Sequence, residues 1–252
     1  DGANVLISGR REDVLLKAKD TLMNEVPGSQ IAIYAADACD EESVQAVIKY
    51  GYNLNGKLDI LVSTVGGADY YKPLLLMEAE TFMNEYRLNL VSIFMMVKYG
   101  VPLMKPGGSI VCLSTATVVQ PMWGLSSYGA AKAGLERFVE SAALELGGAG
   151  IRINSVRPGF TRTEATTPMF DQTELVGKFA DGTPLGRTGE AIDVARVVRF
   201  MAGPESGWVT GENISADGGQ NRGTVPDLLD DIYGKDIMDQ VRAGKVPNNW
   251  HG

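Results

Sequence analysis

The chain has 252 residues, 44% of them hydrophobic and 21% charged, which suits one α/β domain or two small ones. Its net charge of −8 argues against a general nucleic-acid binder, and no apolar run approaches the ~18 residues that a membrane span needs. Two cysteines (Cys39 and Cys112) and a lone histidine, His251, argue against a disulfide scaffold, a histidine-built zinc site or a His-dependent triad; an intracellular, reducing compartment, the cytoplasm, is expected.

In chain order, residues 4–8 read as a short buried strand, ended by Gly9-Arg10-Arg11, and 12–26 as a helix. A second apolar run covers 31–35 and ends near Asp37. Residues 40–50 are helical, with Val44, Val47 and Ile48 on one face. A strand over 58–64 runs into Val65-Gly66-Gly67, and 78–104 reads as a long helical region. Strands follow at 109–114, 152–156 and 213–216, with helices at 128–146 and 190–202 between them. Continuous apolar strands alternating with helices predict a parallel sheet covered on both faces, a doubly wound, Rossmann-like α/β fold. In such sheets ligands bind beyond the carboxyl ends of the strands. Residues 220–252 stand outside the alternation. Their acidic amphipathic stretch from Pro226 to position 241 is expected as a packing helix or as a lid over the substrate.

Tyr128-Gly129-Ala130-Ala131-Lys132 sets a phenol and an ammonium at i and i+4, on one helix face. A nearby cation favours the phenolate, and a tyrosine so tuned can exchange a proton with a carbonyl oxygen as hydride moves. Alone, the pair is better explained as a surface contact, since Tyr-x-x-x-Lys arises by chance on many helices. Thr115, thirteen residues earlier and just past a strand, adds a hydroxyl that can bond a substrate oxygen; its neighbour Ser114 is an equal candidate. Either hydroxyl could instead serve a local hydrogen bond.

These residues, with others in collinear order, resemble the short-chain dehydrogenases/reductases over about residues 1–219. The motifs are Gly9-Arg10-Arg11, Asp37, Asp59-Ile60-Leu61-Val62 before a glycine turn, and Asn89 in Arg87-Leu88-Asn89-Leu90-Val91. Ser114-Thr115, Tyr128 with Lys132, Asn154-Ser155-Val156-Arg157-Pro158-Gly159, Thr163 and Thr210-Gly211 before Asp217-Gly218-Gly219 complete them. The resemblance implies a catalytic tetrad of Asn89, Thr115, Tyr128 and Lys132. Tyr128 is the acid/base, and Lys132 holds the nicotinamide ribose and lowers the tyrosine's pKa. Asn89 supports a proton relay with the lysine. Thr115 stands where serine is usual, and the family's Asn-Asn-Ala-Gly segment reads Ser63-Thr64-Val65-Gly66.

Arg10 and Arg11 occupy the end of the first strand, where an acidic residue would select NAD. Guanidinium groups suit a 2′-phosphate, so NADP(H) is expected over NAD(H). By resemblance Asp37 and Ala38 lie near the adenine, and Thr64, Val65 and Gly66 pass along the ribose. Pro158, Gly159, Thr161 and Thr163 flank the nicotinamide and its phosphate, and Tyr128 and Lys132 also contact the cofactor. No metal is expected. The family's opening strand and glycine-rich Thr-Gly-x-x-x-Gly-x-Gly turn are absent from this sequence, which starts at what resembles the second strand. An N-terminally incomplete stretch of a complete enzyme is the expected reason; a truncated homologue that binds no dinucleotide is the alternative. Without that strand the sheet would expose unpaired edges at its centre.

Residues 160–190 would form the mobile substrate loop by resemblance. Met169, Phe170, Leu175, Val176 and Phe179, with Met122 and Trp123, suit a hydrophobic ketone, 3-oxoacyl or alicyclic substrate, or ordinary core packing. The expected activity is hydride transfer between NADP(H) and a carbonyl or secondary alcohol. An epimerase or dehydratase using the same tyrosine, or a non-catalytic binding protein, are the alternatives. The resemblance also implies a homo-dimer or homo-tetramer pairing helices at about 78–104 and 128–147.

Overall fold

A computed structural model of the chain describes residues 2–68, 71–223 and 228–247. Pro226 and His251 lie outside the described residues. Strand β1 (Asn4–Gly9) leads into helix α1 (Glu12–Glu25), and β2 (Gln30–Ala35) into α2 (Glu41–Asn55). After β3 (Leu58–Ser63) come α3 (Ala79–Tyr86), a π-turn (Arg87–Val91), α4 (Ser92–Gly100) and β4 (Met104–Leu113). Helix α5 (Ser126–Leu146) precedes β5 (Arg152–Pro158). Beyond it lie the short β6 (Thr161–Arg162), α6 (Thr167–Phe170), α7 (Thr173–Gly182) and β7 (Gly189–Glu190). Then come α8 (Ala191–Ala202), β8 (Asn213–Ala216), α9 (Leu229–Tyr233) and α10 (Lys235–Arg242).

Local chemistry sets several of these ends. Asp40 caps α2 by accepting from Ser43 N at 2.8 Å, and Gly56, at φ +67°, closes it in the left-handed region that glycine adopts without strain. Glu190 and Asp193 form a reciprocal capping box on α8. The region expected as one helix over 78–104 is instead interrupted at Asn89 by the π-turn, a feature common at functional sites. It ends where Pro102, which has no N–H to donate, tightens the last turn. The pairing of β3 with β4 jumps from Leu58↔Met104 to Ile60↔Ser109, so Lys105–Gly108 bulge out and the regular ladder begins at Ser109.

Every ladder is parallel, with a four-stranded sheet in the order β3-β4-β5-β8. Successive residues of β4 serve opposite faces. Ile110 and Cys112 join Val44 and Ile48 of α2, Ile93 and Val97 of α4 and Leu135 and Val139 of α5. Val111 turns the other way, to Val194 and Met201 of α8. Both faces are therefore covered, as a doubly wound fold requires. Full burial of Ile110, Ile153 and Leu135 contributes about 1.5–3 kcal/mol each. No helix among the described residues is long and apolar enough to cross a membrane.

β1 and β2 form a separate two-stranded sheet. Helix α2 bridges the two sheets, since a Cβ at Gly51 would lie 3.1 Å from Leu6 of β1 and 3.5 Å from Leu58 of β3. β1 pairs only with β2 and β3 only with β4 among the described residues, so each keeps one edge without a ladder. Val5, Ile60 and Val62 are correspondingly exposed. This is the central discontinuity that the sequence reading expects.

Candidate active site

The parallel strands end at one edge of the sheet, and the expected residues follow those ends. The loop after β3 carries Thr64, Val65 and Gly66; the end of β4 carries Ser114 and Thr115. Pro158 closes β5 with Gly159 next, Thr161 lies in β6, and Thr163 follows it. Tyr128 and Lys132 occupy the first two turns of α5.

Asn89 is fully buried in the π-turn. Its Oδ1 accepts from Gly67 N at 3.0 Å, and its Nδ2 donates to Gly67 O at 2.9 Å and Glu85 O at 3.0 Å. The side chain thus clamps the glycine turn after β3. Lys132, 2% exposed, donates from Nζ to Leu113 O at 2.7 Å and Val65 O at 3.5 Å. Gly66, at φ +145°, completes this junction: a Cβ there would lie 2.6 Å from both Asn89 Oδ1 and Lys132 Nζ. Only a residue without a side chain allows that approach.

Thr115 Oγ1 accepts from Thr117 N and Thr117 Oγ1, both at 3.3 Å. Burial raises the Tyr128 phenol above its ordinary pKa; hydrogen bonding to the Thr115 side chain opposes this, and the charge of Glu85 adds to it. Ser114, the equal candidate in the sequence, points elsewhere. Its hydroxyl donates to Glu136 Oε1 at 2.6 Å. Glu136 in turn holds Arg157 through two contacts of 2.5 Å, and Arg157 donates to Asn213 O at 2.9 Å. Sequence reasoning missed this buried pair, although Glu136 follows Lys132 by four residues on the buried face of α5.

A shared helix face aligns the Tyr128 and Lys132 Cβ atoms, and the lysine stem carries its ammonium to the carbonyls of Leu113, at the end of β4, and Val65, after β3. Burial there lowers the lysine to about 8, with Cys112 opposing the shift.

Above Thr115 and Tyr128 lies a cavity of about 190 Å³, walled by Tyr71, Met122, Leu125, Phe160 and Phe179. Phe160 is stacked between Phe170, at 4.5 Å between ring centroids, and Phe179, at 4.2 Å. Residues 160–190 therefore contain two helices, α6 and α7, that deliver this wall. Gln220, which the sequence reading assigns to the C-terminal extension, also lines the cavity and accepts from Phe160 N at 2.7 Å. The tail packs on both sides of the opening. Leu228 joins Leu175 and Phe179, while Leu229, Met238 and Val241 join Leu76 and Tyr71. Periodicity alone identified neither Tyr71 nor Gln220.

Arg10 and Arg11 are exposed at the end of β1 and form no ion pair among the described residues. Exposed Asp37 and half-buried Ala38 follow β2, and Asp37 Oδ1 accepts from Cys39 N at 2.8 Å.

A doubly wound parallel sheet that gathers a phenol, a hydroxyl and a buried ammonium beyond its strand ends is the arrangement of an α/β oxidoreductase. The family model described as Enoyl-(Acyl carrier protein) reductase matches residues 1–221. The chain belongs to the short-chain dehydrogenase/reductase family. It is 30% identical over 223 residues to the 3-oxoacyl-(acyl-carrier-protein) reductase FabG of Thermotoga maritima, covering 87% of this chain and 88% of that protein. A short-chain dehydrogenase/reductase from Mycobacterium ulcerans superposes with a TM-score of 0.88 at 28% identity, covering 93% of this chain and 88% of that one. An NADPH-bound short-chain oxidoreductase from Pseudomonas aeruginosa gives a TM-score of 0.80 at 26% identity, covering 86% and 87%.

Proposed function

We propose that the protein is an NADP-dependent reductase or dehydrogenase acting on a hydrophobic ketone, 3-oxoacyl or alicyclic substrate or the matching secondary alcohol, with Tyr128 as acid/base. The observation that carries this reading is that Tyr128 and Thr115 line one cavity together with aromatic and aliphatic side chains. A bound nicotinamide supplies or accepts the hydride. Tyr128 gives its proton to the carbonyl oxygen as the carbon is reduced and takes it back in the oxidative direction. The Thr115 hydroxyl donates a hydrogen bond to the same oxygen, where negative charge develops. The aromatic wall limits water and strengthens both bonds. Lys132, Asn89 and Gly66 form the floor for the nicotinamide ribose. The FabG relative supports ketone chemistry, and the NADPH-bound neighbour supports the cofactor.

Arg10 and Arg11, exposed beside the expected adenine ribose, are the basis for NADP(H). A homo-dimer or homo-tetramer belongs to the same reading, supported by the exposure of Phe94 on α4 and Leu144 on α5.

The test is a panel of hydrophobic ketones with each reduced cofactor. NADPH is consumed in step with alcohol formed, with kcat/KM above that for NADH by about tenfold to a hundredfold, the worth of a charge-assisted contact. Arg10→Glu narrows or reverses the ratio. Equal use of NADH would sink the cofactor assignment, and no turnover with either cofactor would sink the reductase reading.

A further inference from the structure

We propose that Tyr71 is a specificity-determining residue of this cavity, its hydroxyl holding a second oxygen of the substrate, a hydroxyl or carbonyl other than the one that reacts. The reductase reading enters only in saying which oxygen reacts.

Tyr71 lines the cavity together with Tyr128 and Thr115. Its hydroxyl donates to Met169 Sδ at 3.6 Å, and a thioether is a weak acceptor. Nothing among the described residues donates to the phenol oxygen. A buried hydroxyl left so weakly bonded costs free energy that a better partner recovers.

The cavity's other hydroxyls, and the Gln220 carbonyl oxygen, have partners of their own. Thr161 Oγ1 donates to Gly159 O, Thr117 Oγ1 donates to Thr115 Oγ1, and Gln220 Oε1 accepts from Phe160 N. Phe160, Phe179, Met122 and Leu125 offer no conventional donor. Two hydroxyl stations therefore face the substrate: the Tyr128–Thr115 pair and Tyr71.

Tyr71 is also held in place. The Tyr233 hydroxyl donates to the Tyr71 carbonyl, and Leu76, Leu229, Met238 and Val241 pack against this side of the pocket. The C-terminal helices thus fix the ring before substrate arrives, which reduces the entropy lost on binding. Burial, with the Tyr128 phenol adding to it, pushes the Tyr71 phenol up to about 12. It remains an O–H donor at neutral pH.

The experiment compares the binding of cyclohexane-1,2-diol and cyclohexanol to the full protein by calorimetry without cofactor, for the native protein and for Tyr71→Phe. That substitution keeps the ring and its packing. The native protein is expected to bind the diol about five- to tenfold more tightly, the worth of one neutral hydrogen bond. Tyr71→Phe equalises the two and leaves cyclohexanol binding within about twofold. In parallel, kcat/KM for 2-hydroxycyclohexanone over cyclohexanone falls by the same factor in the variant. An unchanged diol preference in Tyr71→Phe, or none in the native protein, overturns the proposal. A protein that reduces no ketone yet shows the Tyr71-dependent preference supports it and sinks only the reductase reading.

Discussion

Lys132 brings a charge into the interior and holds it on backbone carbonyls, and this has a consequence for stability. Below about pH 8 the ammonium is charged both folded and unfolded, and the folded state bears the cost of its desolvation. Between about 8 and the ordinary 10.5 the folded protein has released the proton while the unfolded chain still holds it. The unfolded state then binds more protons, so this residue's contribution to stability rises with pH across that window. Cys112 and Tyr71, both raised to about 12, act oppositely, because they keep their protons in the fold while the unfolded chain loses them. A Lys132→Met variant isolates the lysine. Denaturant unfolding of both proteins from pH 7 to 10.5 is expected to move the stability difference toward the native protein as pH rises. A difference constant with pH would contradict this environment for Lys132. At this scale the Tyr128–Lys132 pair and the Thr115 hydroxyl were readable as candidates from residue type and spacing, and Asn89 only through the family resemblance. The choice of Thr115 over Ser114 depends on Glu136, and the route of the lysine depends on Leu113 and Val65 carbonyls; both are tertiary facts.

At the scale of elements, apolar runs located β1 to β5 and β8 within about five residues, while the two-residue β6 and β7 carry no such run. The failures share a physical cause. The π-turn at Asn89 answers to the glycine turn it grips, a partner far away in sequence. Helix α7 lies in a segment whose apolar residues suit a pocket as well as a helix face. The tail's amphipathic stretch left packing and lid readings open, and α9 and α10 pack against the cavity's walls. Leu229 is fully buried there. Leu229→Ala is expected to cost about 2–5 kcal/mol in stability. It should also raise the KM for ketone with less effect on kcat, because the Tyr71 side of the pocket loosens while Thr115 and Tyr128 stay in place. Denaturant melts and steady-state kinetics on one preparation check both effects. An unchanged KM would remove the tail from the substrate site.

The whole molecule is a doubly wound sheet with both faces covered, and its alternation was plain in the sequence because buried parallel strands are continuously apolar. The interruption between β1 and β3 was legible too, as a family pattern entered at its second strand. What assembles only in three dimensions is the site: Tyr128 and Thr115 under an aromatic wall, Lys132 and Asn89 beneath the Gly66 turn, and Arg10 and Arg11 at the distant strand end. The central claim is that Tyr128 moves the proton. Steady-state ketone reduction with NADPH by Tyr128→Phe, alongside cofactor binding by fluorescence, tests it most directly. The account predicts a fall in kcat of at least about a hundredfold, with cofactor affinity within about twofold of the native value. A variant that keeps full turnover would contradict it.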